Sequence, residues 1–168
     1  MKRLVMKKIA IAGILGMCAL TAQGQYKQIN MTVFGMDCPP CAFAIRLSMK
    51  NVHGVSGVDV DLNKGLVTIK LTAGSTAELR QFNDAVEKNG FAHQDADVLV
   101  EGVLSGSPKA PLLQVTGTND RYALVPFAQE IDVTALLGKS VIIQGVLPQS
   151  ARGKVPVNLR YKTIVVSK

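Results

Sequence analysis

Residues 35–41 of the chain, with the sequence GMDCPPC, place two cysteines three positions apart between a predicted strand and a predicted helix. Cys38 and Cys41 are the only cysteines outside residues 1–24, which have the character of a cleavable leader. Two neighbouring thiolates can bind one soft metal ion, or they can form and exchange a disulfide. The motif therefore locates the chemistry of the protein and leaves these two kinds of chemistry open.

Residues 1–24 are predicted to be a signal peptide. Four basic residues lie near the start, the apolar run 9–20 is too short to span a bilayer, and Ala22 and Gly24 are the small residues that a signal peptidase recognises. We expect cleavage after Gly24 and a periplasmic or secreted protein with no stable membrane insertion once the signal is removed. Lipid attachment at Cys18 is the alternative, although the bulky methionine before it fits a lipoprotein signal poorly.

Removal of the signal changes the charge of the protein. The whole chain has 19 basic and 12 acidic residues, and the signal holds four of the basic ones and none of the acidic ones, so the net charge falls from +7 to 15 minus 12, or +3. A charge this small does not indicate a nucleic-acid surface. Export would also place Cys38 and Cys41 in an oxidising compartment.

A strand is predicted before the motif and a helix after it. Apolar and polar residues alternate up to Gly35. The helix is expected to begin at Pro40 or Cys41, because a proline disfavours the helical conformation in the residue before it. The apolar positions that define these two elements are Ile29, Met31, Val33, Ile45, Met49 and Val52.

A hairpin and a second helix complete the first part of the chain. Alternating residues on either side of a turn at 63–65 predict two strands, and Ser75 with Glu78 predicts a capping box for a helix that ends at Gly90. A short, weak strand is expected to follow. The order strand, helix, strand, strand, helix, strand predicts a ferredoxin-like domain at residues 25–96, with both helices on one face of a four-stranded sheet.

The pattern changes near residue 96, and residues 97–168 are predicted to form a second, β-rich domain. A short helix capped by Asp132 is expected between the third and fourth of five strands, which fits a small OB-like barrel, with a β-sandwich fragment as the alternative. The predicted fold class is therefore α+β, a ferredoxin-like domain followed by a small OB-like domain. The candidate strands of the second domain are residues 98–104, 112–116, 122–125, 141–147 and 157–166.

The motif resembles the GMxCxxC signature of heavy-metal-associated domains. This family includes copper chaperones, the N-terminal domains of metal-transporting P-type ATPases and the periplasmic mercury-binding protein. The resemblance covers about residues 28–95 and includes GV at 54–55, VDVDL at 58–62 and NGF at 89–91. It implies a ferredoxin-like fold, a soft metal ion bound through the two cysteines, and a metal transporter or another metal-binding protein as partner.

The chemistry of the two thiols agrees with this resemblance. Thiolates favour Cu(I) and Hg(II), and a site with only two protein thiols suits an ion that accepts two ligands. Cu(I) is the first expectation, with Hg(II) or Zn(II) as alternatives. Cys41 would lie in the first helical turn, where unpaired N–H groups stabilise a thiolate, and Cys38 in the preceding loop. A structural or catalytic disulfide remains the other interpretation, since Pro39 and Pro40 between the cysteines are unusual for the family.

Three further residues could assist the site. Met36 has a thioether that can bind Cu(I), but the family resemblance implies that it packs in the core. Phe91 is expected either to cover the metal loop or to be an ordinary core aromatic. His93 lies two positions beyond the place where some relatives carry a third ligand, and it is a weak candidate for metal ligation.

Other functions have less support in the sequence. No flavin or dinucleotide fingerprint and no catalytic triad is present, so we expect no enzyme activity. A thiol–disulfide redox protein using Cys38 and Cys41 is the main alternative, and an assembly module built on the second domain is another. Basic residues near the C-terminus are interpreted as a solvated strand edge, not as a nucleic-acid surface. These are Arg152, Lys154, Arg160 and Lys162.

Overall fold

The computed structural model of the chain describes residues 25–167. The predicted signal peptide at residues 1–24 lies outside the described residues, as does Lys168. The described part has a mixed α+β fold with two α-helices and eight strands. Within residues 25–167, no helix combines the length and the apolar character that crossing a membrane requires.

The first part of the structure has the predicted order of elements. Neighbouring strands in its sheet follow the order β2-β3-β1-β4, and each neighbouring pair is antiparallel. This order agrees with the predicted βαββαβ arrangement. The elements are β1 Gln25–Phe34, α1 Pro39–Lys50, β2 Val55–Asp61, β3 Leu66–Leu71, α2 Leu79–Lys88 and β4 Ala92–Ser107.

The core of this part forms where the apolar face of β1 and β3 meets the two helices. Side chains two positions apart in a strand share a face, and residues four apart in a helix lie one above the other. Each large apolar side chain removed from water contributes about 1.5–3 kcal/mol. Of the apolar positions predicted around the motif, Ile29, Met31, Val33, Ile45 and Met49 are buried, whereas Val52 is only partly buried. The buried side chains that β3 and α2 add to this core are Val67, Ile69, Leu79, Phe82 and Val86.

Two helix starts differ from the prediction. α1 begins at Pro39, one residue earlier than expected, because a proline at the first helical position already has a helical φ and needs no N–H partner. The predicted capping box at Ser75 and Glu78 is wrong. Glu78 is itself the N-cap, and it forms the box with Gln81, whose side-chain Oε1 accepts the Glu78 N–H at 2.9 Å.

The strand after α2 is much longer than the short, weak strand predicted. β4 runs for 16 residues and includes the strand predicted separately at 98–104. It pairs with β1 from Ala92 to Glu101 and with β7 from Ala96 to Val103. The predicted boundary between residues 96 and 97 therefore falls inside one strand, and the division into two domains stays a prediction.

The second part of the structure is a closed ring of strands. The order is β4-β5-β6-β8-β7, and β7 pairs back onto β4. β6 and β8 are parallel, whereas the other pairs are antiparallel. A single 3-10 turn, Thr134–Leu136, takes the place of the predicted short helix. The strands are β5 Ala110–Val115, β6 Arg121–Pro126, β7 Ser140–Leu147 and β8 Asn158–Val166.

Buried polar contacts join the two parts in addition to β4. Tyr26 in β1 donates a hydrogen bond to Asp120 Oδ2 at 2.6 Å, and its hydroxyl lies 2.6 Å from that of Tyr122 in β6. The same Asp120 oxygen accepts the backbone N–H of Leu79 at 2.8 Å, at the start of α2. One continuous hydrophobic core also extends through both parts. The first part is therefore held against the ring at the N-terminal end of α2.

Candidate metal centre

The cysteine motif lies in a short loop between β1 and α1. β1 ends at Phe34, and Gly35 turns the chain with a φ of 87°, a conformation that favours glycine. Residues 35–38, called the motif loop below, lead to α1, which begins at Pro39. Cys38 is the N-cap of α1, with extended backbone angles, and Cys41 lies in the first helical turn as predicted.

The two sulfur atoms are brought together, and in this structure they form the Cys38–Cys41 disulfide. The Cα atoms are 5.1 Å apart, and both residues are half-buried. The backbone N–H of Cys41 donates to Cys38 Sγ at 3.2 Å. Because Pro39 and Pro40 have no N–H, Cys41 supplies the first N–H of the helix, and it points to the other cysteine. The helix terminus therefore favours negative charge on Cys38 as well as on Cys41.

Asp37 is a third donor that the sequence analysis did not identify. One carboxylate oxygen of Asp37 and the two sulfur atoms all lie within 4.8 Å of one another. Asp37 is exposed, and an oxygen ligand is a poor match for a soft ion such as Cu(I). The oxygen would suit Zn(II) better, since Zn(II) accepts carboxylate ligands beside thiolates. The sequence signal that could have identified Asp37 as a donor is its position directly before Cys38.

Met36 and Phe91 attach the motif loop to the hydrophobic core. Met36 is buried and belongs to the hydrophobic core, as the resemblance implied. Phe91 is partly buried against the same core, and its Cδ1 atom lies 3.6 Å from the point where a Cβ on Gly35 would be. The ring of Phe91 therefore packs on the start of the motif loop as well as against the core.

His93 is not part of the donor group formed by Asp37 and the two cysteines among the described residues. It lies in β4, only 5% exposed, and its Nε2 atom is 3.2 Å from Oε1 of Glu87. The hypothesis that His93 is a third metal ligand is therefore not supported by its position. It instead belongs to a buried contact at the C-terminal end of α2.

Glu87 is the centre of that contact and was not identified from the sequence. Its two carboxylate oxygens accept the N–H of Gly153 at 3.1 and 3.2 Å, and Nε of Arg152 lies 3.7 Å from Oε2. Gly153 and Arg152 lie in residues 148–157, the β7–β8 loop. The carboxylate therefore attaches this loop of the ring to the helix that precedes Phe91.

The interpretation of the basic residues as a strand edge is wrong for β8, which pairs with β6 on one side and β7 on the other. Its basic side chains are instead paired with acidic residues. Arg160 lies 3.3 Å from Asp95, and Lys162 bonds Asp97. Both cationic groups also lie over the ring of Phe127, at 5.6 and 5.2 Å from its centroid. The cationic side chains of β8 are thus paired with acidic side chains of β4.

A cavity of about 400 Å³ adjoins the motif loop. Phe34, which is 68% exposed, and Gly35 form the side next to the motif. Gln149, Ser150 and Arg152 of the β7–β8 loop line the same cavity. The cavity residues are Phe34, Gly35, Glu87, Gly90, Phe91, Ala92, His93, Gln149, Ser150 and Arg152.

Comparison with known proteins agrees with this geometry. Residues 30–92 match the heavy-metal-associated domain. The chain is 33% identical to the copper chaperone CopZ of Staphylococcus aureus over 61 residues, which is 36% of this chain and 88% of that protein.

Solved structures with similar chains include a CopZ metallochaperone, with 33% identity over 38% of this chain and 94% of that chain at a TM-score of 0.36. A copper-binding domain from the P-type ATPase HMA7 has 25% identity over 43% of this chain and 92% of that chain, at a TM-score of 0.36. Oxidised MerP from Ralstonia metallidurans has 20% identity over 40% of this chain and 93% of that chain, at a TM-score of 0.37. The match to the domain and the identity to nearly the whole of a copper chaperone show that the chain belongs to the heavy-metal-associated domain family.

Proposed function

We propose that this protein binds a soft metal ion through Cys38 and Cys41 and exchanges it with another metal-binding protein or a metal transporter. The observation that carries the proposal is the position of the two sulfur atoms. They lie together at the start of α1, in the segment of the chain that matches the heavy-metal-associated domain. A binding and transfer role without catalysis follows from such a site.

Cu(I) is the proposed cargo, with Hg(II) as the second candidate and Zn(II) as the third. Two thiolates satisfy an ion with near-linear coordination, whereas structural Zn(II) needs four ligands. Asp37 supplies one additional oxygen donor at most. Among the relatives, a copper chaperone and a copper-binding ATPase domain favour copper for this chain as well.

Reduction of the disulfide must precede metal binding. An external dithiol reductant supplies two electrons and two protons, becomes a disulfide itself and converts the Cys38–Cys41 disulfide into two thiols. Loss of the two thiol protons to the medium then gives the thiolates that bind the ion. We propose that the protein is exported and that its signal peptide is cleaved near Gly24. In an oxidising compartment the bound metal would then protect the thiols from re-forming the disulfide.

We also propose how the two parts of the fold divide the work. The metal site belongs to a ferredoxin-like domain, and the closed ring of strands is an OB-like domain. The helical turn between the third and fourth strands of the ring and the parallel pairing of β6 with β8 support the second assignment. In this proposal the ring presents the metal domain to its surroundings and binds no metal itself.

The proposal is tested by titrating the reduced protein with Cu(I) in competition with a chromophoric Cu(I) chelator. We expect one Cu(I) per chain, and a loss of at least about a hundredfold in affinity when Cys38→Ser or Cys41→Ser removes one of two coordinating thiolates. Asp37→Asn in the same chain is the matched control, since it removes a neighbouring oxygen donor that is a poor match for Cu(I). Wild-type affinity in the double variant Cys38→Ser, Cys41→Ser would refute the proposal.

A thiol–disulfide redox protein is the second candidate, because the structure contains the disulfide that such a protein would use. The reduced dithiol would transfer two electrons to a substrate disulfide through a mixed disulfide with one of its cysteines. An insulin-reduction assay with a thiol reductant distinguishes the two functions. Activity that disappears in Cys38→Ser, together with weak Cu(I) binding by the wild type, would favour the redox function.

A further inference from the structure

We propose that the β7–β8 loop forms part of the surface on which the metal-exchange partner docks, and that Arg152 selects a partner with carboxylates on its contact surface. The inference rests on the proposed function, because it concerns the protein that exchanges metal with Cys38 and Cys41. It gives the ring a specific role, which neither the domain match at residues 30–92 nor the copper chaperone relatives address.

The loop is fixed in place next to the metal domain. Gly153 donates its N–H to both carboxylate oxygens of Glu87, and the Lys154 carbonyl accepts a hydrogen bond from Asn83 Nδ2 at 3.3 Å. Both acceptor and donor side chains come from α2. At the other end of the helix, Asp120 accepts the Leu79 N–H. With α2 bound at both ends, the loop keeps a constant position relative to the motif loop.

The loop and the motif loop line one cavity. Phe34 and Gly35 line it together with Gln149, Ser150 and Arg152. During transfer, one ion is bound by thiolates of both proteins, and metal–sulfur bonds are only about 2.3 Å long. A partner that reaches Cys38 must therefore cover the neighbouring motif loop. It then also meets the β7–β8 loop across the cavity.

The exposed groups on the cavity define the chemistry of this partner. Phe34 presents an apolar ring that is 68% exposed. The Arg152 side chain is 80% exposed. Its Nε lies 3.7 Å from Glu87 Oε2 and its Nη2 donates to the Glu87 carbonyl at 3.4 Å, while the rest of the guanidinium is open to solvent. An apolar side chain that enters the cavity and a carboxylate opposite Arg152 would complement these groups. We therefore specify a thiol-bearing partner with an acidic contact surface.

Transfer from designed donors tests the inference directly. The probes are three Cu(I)-loaded synthetic peptides with the same Cys-x-x-Cys pair, flanked by Phe and Glu, by Phe and Gln, or by Phe and Lys. We expect the reduced wild-type protein to take up Cu(I) about threefold to tenfold faster from the Glu peptide than from the Lys peptide at low salt. The difference should disappear near 1 M salt, where charges are screened within about 3 Å.

Three variants of the loop separate its role from that of the thiols. Arg152→Glu should reverse the preference, and Arg152→Gln, which does not repel Glu87, should abolish it. Gln149→Trp should slow uptake from all three peptides by narrowing the cavity, because the Gln149 side chain is exposed. None of the three substitutions should change uptake from a small chelator, which needs no docking surface.

Arg80→Glu is the matched control, since it makes the same charge change at an exposed position near the other end of α2. Equal rates from the three peptides, or an equal effect of Arg80→Glu, would overturn the inference while Cu(I) uptake from the chelator stays normal. Absence of uptake from the chelator by the reduced wild type would refute the proposed function itself, and the inference would fall with it.

Discussion

Nε2 of His93 lies 3.2 Å from Oε1 of Glu87, and both side chains are almost completely enclosed, at 5% and 11% exposure. The pair joins β4 to the C-terminal end of α2, and the same carboxylate holds the Gly153 N–H of the β7–β8 loop. The Glu87 side chain of α2 therefore connects His93 of β4 with the β7–β8 loop of the ring.

We predict that Glu87→Ala lowers the free energy of unfolding by about 2–4 kcal/mol, because it leaves the His93 ring and the Gly153 N–H without their partner in a buried place. Chemical denaturation with urea measures this loss. Lys88→Ala, an exposed neighbour on the same helix, should change stability by less than about 0.5 kcal/mol. Equal effects of the two substitutions would show that Glu87 acts only through helix propensity.

Asp120 is predicted to make stability depend on pH. Burial raises the pKa of Asp120 above its ordinary value, and hydrogen bonds from the Leu79 N–H and the Tyr26 hydroxyl offset only part of this rise. The folded protein thus holds the proton more tightly than the unfolded chain. The contribution of this carboxyl is largest below its ordinary pKa of about 3.9 and is lost as pH rises through the raised value.

Asp120→Asn should remove this pH-dependent loss, because an amide does not titrate. The amide oxygen can still accept both hydrogen bonds. The free energy of unfolding of the variant should improve relative to the wild type as pH increases from about 4 to 7. Asp120→Ala, which leaves both donors unpaired, should instead cost about 2–4 kcal/mol across that range. Parallel pH profiles for the wild type and Asp120→Asn would contradict the assignment of the raised pKa.

Gly102 is predicted to be essential for closing the ring. A Cβ at this position would lie 2.4 Å from the backbone oxygen of Gln114 in β5, and that backbone cannot move without breaking the ladder. Gly102→Ala should destabilise the protein by about 1–3 kcal/mol or more. Gly57→Ala in β2 is the matched control, because its nearest contact would be 4.0 Å away. Thermal unfolding of the two variants distinguishes a steric requirement from a general intolerance of alanine in strands.

Phe91→Ala is predicted to loosen the motif loop. The ring packs on Gly35 and against the core, so its removal should cost about 2–4 kcal/mol. Amide hydrogen exchange should become faster at Met36, which follows Gly35 in the motif loop. Phe127→Ala removes a ring that is 51% exposed, and it should cost only about 0.5–1 kcal/mol through its contacts with Arg160 and Lys162. Unchanged exchange at Met36 in Phe91→Ala would show that the ring does not support the loop.

The elements of the first part were predictable because their signals are local. The alternation of Ile29, Met31 and Val33 and the three-residue spacing of the cysteines are contained within a few positions, and the structure places these groups as expected. Asp37 was not predicted although it adjoins Cys38, because the motif predicts a soft metal ion and a carboxylate oxygen is a hard ligand. Its identification needed the positions of the donor atoms in three dimensions.

The length of β4 could not be predicted from its own residues. His93, Asp95 and Asp97 are polar, which weakens the apolar pattern that identifies a strand. Their partners come from α2 and β8, and the contacts of the two aspartates with Arg160 and Lys162 span 65 positions in sequence. Glu87 was missed for the same reason, since its bond to Gly153 spans 66 positions. Long-range pairing, not local preference, therefore determines the length of β4 and the role of Glu87.

The continuous strand β4 has a consequence for how such a protein could arise or be engineered. Domains joined by a linker can be exchanged or duplicated by recombination between them, and each copy keeps its own edge strands. Here a cut between residues 96 and 97 would divide a strand that pairs with both β1 and β7, leaving each fragment with an open edge prone to aggregation. Evolution of the ring would therefore have to preserve this shared strand. In a chimaera the junction should follow Ser107, so that β4 stays intact and the strands of the new ring are built around it.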